Sequence, residues 1–472
     1  MLELRLDGTD ARMWDSNDAG QQPADVFSSI TRPSSRHEPK LRIGVLAACP
    51  FPANHGTPGS IRELSEAMAE RGHDVHVVTY HMGQDIPVRL VNLHRIPRLT
   101  RESGVVVGPT SRRPLYDLQM VFKSLSVIRR HGLDLLHAHG YEAALVAMLC
   151  KLVTGIPVIY SGHNTMADEL HTYDFIRPKG LARGLARFLD SFVPRIGDRC
   201  IPHSENIASF LRDMGLEGRM EPVVSFGIDV DAVSEGDGSR VRNQYGLNGS
   251  PVVLYTGVMD AFQRLDLLFE AMKHVLWTVP DARLLLVTTI KQDKHLQAVR
   301  EQIRAAGIDG SVVITETQEL AHLPDFLQAC DVAVVPRPAA PGFPIKLLNY
   351  MAAARACVMF ASSASGVEHG NQAILVAEDT SLALGEGIVE VLKDASLRSR
   401  LGKNAYRFVC KHHDRRVVAE KLVDIYLRTL NQCGRSSRLV GRPSAVLRPI
   451  HADQTATVVN GKSHRRLAVA TT

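Results

Sequence analysis

The residues best suited to chemistry lie in one short segment, residues 342–349. Gly342, Lys346 and Asn349 are three to four residues apart, so a helix would place them on one face. The apolar run DVAVV at 331–335 predicts a buried strand that leads into the segment. The start of such a helix offers backbone N–H groups, an ammonium and an amide to an anion such as a nucleotide diphosphate. The segment is equally compatible with an ordinary strand–helix–strand unit.

The sequence GFPIKLLNYMAA at 342–353 resembles the donor-site helix of family-four glycosyltransferases, which are retaining enzymes of the GT-B fold. The resemblance implies that Gly342, Phe343, Lys346 and Asn349 bind the donor, a nucleotide diphosphate sugar. It covers roughly residues 41–430. The nucleotide sugar would be a substrate, and no cofactor is expected.

The chain departs from the family pattern at two positions that usually hold glutamates, where it has Pro341 and Asn349. The segment is similar to a bacterial subgroup that has Asn at the second position. An amide can still hydrogen-bond ribose hydroxyls, whereas a proline side chain cannot replace a carboxylate that contacts the donor sugar. The departure therefore bears on sugar recognition more than on nucleotide binding.

The length and composition predict a two-domain protein. The 472 residues exceed the roughly 250–300 residues at which a single core stops growing. A net charge of +5 permits contact with anionic lipids or phosphates, but it does not require a nucleic-acid partner. The seven scattered cysteines include no CxxC pair, which argues against a disulfide framework. The chain has neither a signal-peptide core nor an apolar run of about 18–20 residues, so we expect a cytoplasmic protein.

Strands alternate with helical patterns along the chain, which is typical of a doubly wound parallel sheet. A polar, turn-rich stretch near residues 228–250 divides two such series. The predicted fold is α/β with two Rossmann-like domains facing a central cleft, which is the GT-B arrangement that the resemblance implies. The predicted segments are a disordered tail (1–39), an acceptor-side domain (40–227), a linker (228–250), a donor domain (251–405), C-terminal helices (406–432) and a basic disordered tail (433–472).

Ligands bind at the carboxyl ends of strands in such sheets, and four candidate residues follow strands of the first domain. Gly56 and Gly59 lie in the loop after the first strand. His139 and His163 end or follow two later strands. The resemblance implies that the loop approaches the donor phosphate and that His163 meets the donor sugar, with His139 in a cleft loop. A capped turn and two structural histidines remain the alternatives.

The loop after the first strand of the second domain resembles the phosphate-clamping loop of the family. It begins at Gly257, and Arg264 stands near the position where the family has a Lys. The resemblance implies that both residues bind the donor. A solvated surface arginine is the alternative for Arg264, and its guanidinium is not equivalent to an ammonium.

No metal centre is expected from local spacing. The chain lacks His and Cys at the intervals of metal sites, and no acidic partner completes a Ser/His/Asp set. Asp229 and Asp231 form an Asp-x-Asp string that imitates a metal motif of another glycosyltransferase fold. We assign it instead to a turn near the linker, as the resemblance implies for the surrounding FGIDVD.

Two stretches could contact a membrane, residues 111–131 and 178–199. Both mix Leu or Phe with Arg and Lys, as amphipathic helices at a lipid interface do. Ordinary helices with one solvated face have the same composition. A peripheral position at the inner membrane face is therefore one of two interpretations.

Together these features predict a retaining glycosyltransferase, of hexosyltransferase type, that moves a sugar from a nucleotide diphosphate sugar to a hydroxyl of a glycan or lipid-linked acceptor. Bacterial polysaccharide or glycolipid biosynthesis is the expected setting. One alternative is a nucleotide-sugar epimerase of the same fold. The other is a non-catalytic nucleotide-sugar-binding or scaffold protein, because both donor-site glutamates are absent.

Overall fold

A computed structural model of the chain shows two parallel β-sheets with helices between most successive strands. Residues 39–472 form one unit, to which every element named below belongs. The structure describes residues 38–53, 56–99, 112–167, 179–288, 293–338, 344–364, 366–439, 441–442 and 444.

The first sheet has six strands in the order β3-β2-β1-β4-β5-β6, and each neighbouring pair runs parallel. Its strands are β1 (Arg42–Ala47), β2 (Asp74–Thr79), β3 (Asn92–Arg95), β4 (Leu135–His139), β5 (Val158–Gly162) and β6 (Arg199–Pro202). Its helices are α1 (Gly56–Glu70), α2 (Arg113–His131), α3 (Tyr141–Thr154), α4 (Lys179–Phe192) and α5 (Glu205–Asp213).

The second sheet also has six parallel strands, in the order β12-β11-β10-β7-β8-β9. They are β7 (Val252–Thr256), β8 (Arg283–Val287), β9 (Val312–Ile314), β10 (Val332–Val335), β11 (Ala356–Phe360) and β12 (Ile374–Val376). The helices are α6 (Val230–Ser234), α7 (Gly238–Gln244), α8 (Leu265–Thr278), α9 (Asp293–Ala306), α10 (Leu323–Gln328), α11 (Ile345–Ala352), α12 (Ser381–Lys393), α13 (Ala395–His412) and α14 (Arg415–Gln432).

Helices cover both faces of the first sheet, which explains why its strands read as apolar runs rather than as alternating patterns. Leu46 and Leu136 pack on one face with residues of α2 and α3. Ile43 and Val45 pack on the other face with residues of α1 and α14. This architecture confirms the predicted α/β class with two Rossmann-like domains.

The last long helix, α14, packs on the first domain although it follows the second domain in the chain. Its apolar side chains, including Val418, Leu422 and Tyr426, join the core formed by β1, β2 and α1. Arg415 begins the helix, and its side chain is 7% exposed. Its guanidinium pairs with four carboxylates: Glu63 (3.3 Å), Glu66 (3.4 Å), Glu70 (3.0 Å) and Asp229 (2.9 Å).

The structure differs from the predicted segments at three places. The stretch 228–250, predicted as a linker, contains the short helices α6 and α7, which pack against α10. The predicted border at 405/406 falls inside α13, because that helix continues to His412. The predicted tail beginning at residue 433 is partly structured: Arg442 donates two hydrogen bonds to the carboxylate of Asp134, at 2.6 and 2.8 Å.

Candidate functional site

Lys346 lies in the first turn of α11 and connects this helix to the loop after β7. Its Nζ donates hydrogen bonds to Tyr255 Oη at 2.7 Å and to Gln263 Oε1 at 2.8 Å. Tyr255 in turn donates to the carbonyl of Val258 at 2.5 Å. The ammonium also lies 4.0 Å from the centroid of the Tyr255 ring. The structure therefore places Lys346 beside the predicted phosphate-clamping loop.

Arg337 is a second cation at this edge of the sheet, and the sequence analysis missed it. It follows β10 by two residues, so its position at the carboxyl end of a buried strand was the signal that could have found it. Its guanidinium carbon lies 4.6 Å from the centroid of the Phe262 ring. Burial lowers the pKa of Arg337, while Tyr255 and Asp260 oppose that shift.

Lys346 and Arg337 lie close enough to repel each other, and this repulsion favours binding of an anion. Burial, together with the nearby charge of Arg337, lowers the pKa of Lys346 well below its usual value. Within the described part of the chain, neither Arg337 Nε nor Asp260 Oδ1 finds a hydrogen-bond partner, although both atoms are buried. Buried polar atoms without partners are rare in folded proteins and indicate a place for a ligand or water. An anionic group bound here would offset the repulsion between the cations.

Gly257 fits this site because of its backbone. Its φ of 123° lies in the region that favours glycine, and an added Cβ would come within 3.3 Å of Lys346 Nζ. Arg264, by contrast, is not brought into the cluster. Its guanidinium pairs with Asp266 at 2.8 Å, its side chain is 45% exposed, and Gln263 takes the place beside Lys346.

The structure describes some, but not all, of the other residues that were predicted to bind the donor. Asn349 is half-buried and lies one helical turn after Lys346 on α11. Gly342 and Phe343 lie outside the described residues. In the first domain, Gly56 and Gly59 lie in the first turn of α1 rather than in the predicted loop, because the helix already begins at Gly56, with a φ of 41°. An added Cβ at Gly59 would meet the Ala53 carbonyl at 3.6 Å, an ordinary contact.

Three histidines meet at the carboxyl ends of three neighbouring strands of the first sheet. His139 ends β4, His163 follows β5, and His203 follows β6. His139 Nδ1 lies 3.2 Å from His163 Nε2, and the rings of His163 and His203 are 4.5 Å apart. The structure thus brings the two predicted histidines together. The sequence analysis missed His203, although its position directly after the apolar strand β6 was a signal that could have found it.

Burial keeps these imidazoles neutral. It lowers the pKa values of His139 and His163 well below the usual range, and that of His203 to about 4. His203 Nδ1 donates to the carbonyl of Val224 at 2.6 Å, which leaves Nε2 as an acceptor. His163 Nδ1 is buried and has no hydrogen-bond partner among the described residues. A neutral imidazole of this kind can bind a hydroxyl group without adding charge.

The Asp-x-Asp string has a structural role. Asp229 Oδ1 accepts a hydrogen bond from Ala232 N at 3.1 Å at the start of α6, and its other oxygen pairs with Arg415. Asp231 pairs with Arg416 at 3.0 Å. Both carboxylates therefore face arginines.

Two protein-family models match the chain in succession. Residues 56–232 match Glycosyltransferase Family 4, and residues 250–394 match Glycosyl transferases group 1. The boundary between the matches falls near the stretch 228–250.

Known proteins show the same relationship over most of the chain. N-acetyl-alpha-D-glucosaminyl L-malate synthase of Bacillus anthracis is 22% identical, over 83% of this chain and 98% of its own. Sucrose-phosphate synthase of Thermosynechococcus elongatus has a TM-score of 0.70 at 17% identity, covering 83% of this chain and all of its own.

Anabaena HepE, solved with UDP and glucose, has a TM-score of 0.64 at 17% identity, covering 82% of this chain and 99% of its own. The structural neighbours share the GT-B fold with the two sheets described above. The chain is accordingly a glycosyltransferase, whose first part is similar to the family 4 model and whose second part is similar to the group 1 model.

Proposed function

We propose that this protein is a retaining glycosyltransferase that transfers a sugar from a nucleotide diphosphate sugar to a hydroxyl of a glycan or lipid-linked acceptor. The observation that carries the proposal is the pair of half-buried cations, Lys346 and Arg337, beside the carboxyl ends of β7 and β10. A diphosphate is the anion that such a pair would hold. The complex of Anabaena HepE with UDP and glucose supports this choice of ligand.

In this mechanism Lys346 and Arg337 stabilise the leaving diphosphate, while the amide of Asn349 binds the nucleotide ribose. The bond between the anomeric carbon and the diphosphate oxygen breaks as the acceptor oxygen bonds to the same face of that carbon. The acceptor proton passes to the departing phosphate. Fixed positive charge at the leaving group supplies most of the rate enhancement in this scheme. No protein carboxylate is required as a nucleophile.

The histidines of the first domain then serve the sugar and the acceptor. His163 and His139 are neutral, so they would position hydroxyl groups near the developing oxocarbenium ion without repelling it. The proposed reaction uses no divalent metal and no cofactor. The setting we propose is polysaccharide or glycolipid biosynthesis in the bacterial cytoplasm.

The experiment that tests this function follows the donor and the product together. A panel of nucleotide diphosphate sugars is first screened by thermal shift, and the donors that stabilise the protein are then incubated with acceptors. We expect release of free nucleoside diphosphate that depends on the acceptor, and a product with the anomeric configuration of the donor. An inverted product would overturn the retaining mechanism. Conversion of the donor sugar without acceptor would indicate an epimerase, and binding without turnover a scaffold protein.

Three helices of the first domain, which is the predicted acceptor side, also support a peripheral position of the protein on a membrane. Helices α2 and α3 pack together. Helix α4 contacts the turn at Val193–Ile196, and this turn also contacts α3. These helices expose large apolar side chains beside cations such as Lys123, Arg129 and Arg187. The most exposed are Leu118 (52%), Phe122 (67%), Leu152 (76%), Val153 (58%) and Phe188 (58%). Every described helix falls short of a membrane span in length or hydrophobicity.

We therefore propose that this apolar and basic face rests on an anionic bilayer, because lipid tails would cover the Leu and Phe side chains while headgroups pair with the cations. In co-sedimentation, the protein should bind phosphatidylglycerol vesicles and bind phosphatidylcholine vesicles weakly. Phe122→Asp with Phe188→Asp should abolish binding. Trp277→Asp is the matched control, since Trp277 is 88% exposed but lies on the second domain. Equal binding by the double variant and the control would overturn the proposal.

A further inference from the structure

We propose that His76, His94 and His131 form a binding site for a divalent transition-metal ion of the zinc class, away from the transferase site. His76 lies on β2, His94 on the edge strand β3, and His131 ends α2. Each offers one ring nitrogen, and the three nitrogens lie within 4.8 Å of one another. His76 Nδ1 is 2.9 Å from His94 Nε2, and the ring of His131 lies 4.3 Å from that of His76.

The fold, rather than local spacing, assembles this cluster. In the parallel ladder between β2 and β3, His76 stands opposite Asn92, and His94 stands two residues further on the same face. The C-terminal end of α2 packs over this pair. No motif search over short intervals would find the set, which explains why the sequence alone indicated no metal site.

The carboxylate of Asp74 lies next to the ring of His76, where it can orient the imidazole for metal binding. Asp74 Oδ1 lies 3.3 Å from His76 Nε2, and it accepts a hydrogen bond from Asn92 Nδ2 at 3.0 Å. His76 Nε2 is buried and has no hydrogen-bond partner among the described residues, so a small turn of the ring would let it donate to Asp74. With the proton on Nε2, the lone pair of Nδ1 is directed toward His94. Metal-binding histidines almost always donate their second N–H to such a partner.

The charges of the surroundings are compatible with a cation once Asp74 is counted. The ring of His94 lies 5.2 Å from that of His76 and 5.3 Å from that of His131, so its imidazole is within reach as a ligand. Lys123 and Arg130 lie near enough to repel a metal ion weakly. Three imidazoles are ligands that zinc-class ions prefer even in such surroundings.

The geometry requires only a modest closure. Zinc–nitrogen bonds of about 2.0–2.1 Å place tetrahedral ligand nitrogens about 3.3 Å apart. His76 is buried, whereas His94 and His131 are half-buried. His131, at the end of a helix, can therefore turn its ring toward the other two, and solvent can reach the fourth coordination position.

The cluster of His139, His163 and His203 has similar spacing but fits a metal less well. His203 already uses Nδ1 to donate to Val224, and its ring stacks on Phe226 at 4.6 Å. The rings of His139 and His203 are nearly parallel, at 10°, so their in-plane lone pairs do not converge. No carboxylate is hydrogen-bonded to a ring of this cluster in the described residues.

The test uses the full chain in a Cys433→Ser background, which removes the one exposed cysteine of the described residues. The protein is stripped with a chelator, titrated with Zn²⁺ alone by calorimetry, and analysed for bound metal after dialysis. We expect one zinc per chain and a rise in melting temperature on binding. His131→Ala should lose this zinc. Asp74→Asn should keep the stoichiometry with 10–100-fold weaker binding, on the order expected when a carboxylate behind a ligand is removed.

The exposed His322 provides the control, because His322→Ala should bind zinc like the parent protein. Co²⁺ substituted for Zn²⁺ should give the visible absorption bands of a tetrahedral site, and these should vanish in His131→Ala. Unchanged zinc content in His131→Ala and His94→Ala would overturn the proposal. So would loss of the zinc in His163→Ala with full binding in His131→Ala, since that result would place the metal in the other cluster.

Discussion

The hydroxyl of Tyr426 lies 2.6 Å from Nδ1 of His137, although 289 residues separate the two in the chain. The other ring nitrogen of His137 lies 2.6 Å from Ser161 Oγ on the neighbouring strand. One buried imidazole thus connects α14 to β4 and β5. His137 stands two residues before His139, so the bond also fixes the strand end that carries a candidate site residue.

Tyr426→Phe should lower the free energy of unfolding by about 1–3 kcal/mol, because it leaves a buried ring nitrogen without its partner. Urea denaturation measures the change. A double-mutant cycle with His137→Phe should show coupling of at least about 0.5 kcal/mol between the two sites. A cycle with the distant Tyr245→Phe serves as the control and should be additive. Additivity in both cycles would contradict the contact.

Lys346→Ala should weaken binding of the nucleotide sugar by about 1–3 kcal/mol, the scale of a charge-assisted hydrogen bond. Isothermal titration with the best donor from the thermal-shift screen measures the loss. Arg264→Ala is the matched control. It removes only an exposed pair with Asp266, so affinity should change by less than about 0.5 kcal/mol. Wild-type affinity in Lys346→Ala, or a larger loss in Arg264→Ala, would show that the site is assigned to the wrong cation.

His163→Ala should lower kcat at least tenfold, which corresponds to roughly 1.4 kcal/mol of barrier. The melting temperature should stay close to that of the parent protein, because His163 is only half-buried and follows its strand. Steady-state kinetics and a thermal melt are measured on the same preparation. Unfolding of the variant, or full activity, would mean that the histidine has a structural role.

His73→Asn should flatten the dependence of stability on pH. Burial lowers the pKa of His73 from its usual value of 6.5 to about 4, and its Nδ1 accepts a hydrogen bond from Leu41 N. Between these values the unfolded chain binds the proton that the folded chain excludes, so stability falls as the pH drops from 6.5 to 4. The contribution of one such histidine is at most about 1.4 kcal/mol per pH unit.

Urea midpoints at pH 7.5, 6.0 and 5.0 test this prediction. The asparagine keeps a hydrogen-bond acceptor but does not titrate, so the variant should lose less stability on acidification than the parent. An identical loss in both proteins would contradict it.

Arg442→Ala should destabilise the protein by about 1–3 kcal/mol, because it leaves the buried carboxylate of Asp134 without its cation. Deletion of residues 445–472 should leave both stability and activity on a soluble acceptor unchanged, since the sequence of that stretch has no apolar period. Chemical denaturation of the two variants separates the contributions. Equal stability of Arg442→Ala and the parent would mean that the ion pair is solvated.

The arrangement of the fold was predictable because buried parallel strands have a strong signature. DVAVV and LLHAH are apolar runs bounded by turns, and both became strands with every residue buried or nearly so. The return of α14 to the first domain was not predictable from periodicity. A helix of this amphipathic pattern could cover either sheet, and only its tertiary contacts, such as Arg415 with Glu66, decide between them.

The candidate site likewise contains residues that were predictable from the sequence and residues that were not. Lys346 was predictable because helical spacing fixes its face, and His163 because it follows an apolar strand. Arg337 and His203 stand in equivalent positions after β10 and β6, yet their partners come from distant loops. The structure places Arg264 away from Lys346, because a local acid, Asp266, holds its guanidinium at the surface, and its role in donor binding stays a prediction. Sequence spacing predicts on which element and face a side chain lies, but it does not predict which distant residue the side chain contacts.

The position of α14 sets the order in which the protein can fold during synthesis. The apolar face of α1 and one face of the first sheet are completed only by side chains near the end of the chain. Translation at about 5–20 residues per second would leave this surface uncovered for roughly 10–40 s after the first domain has emerged. Until α14 is synthesised, the core of the first domain is therefore incomplete. Three glutamates of α1 then face the position that Arg415 later occupies.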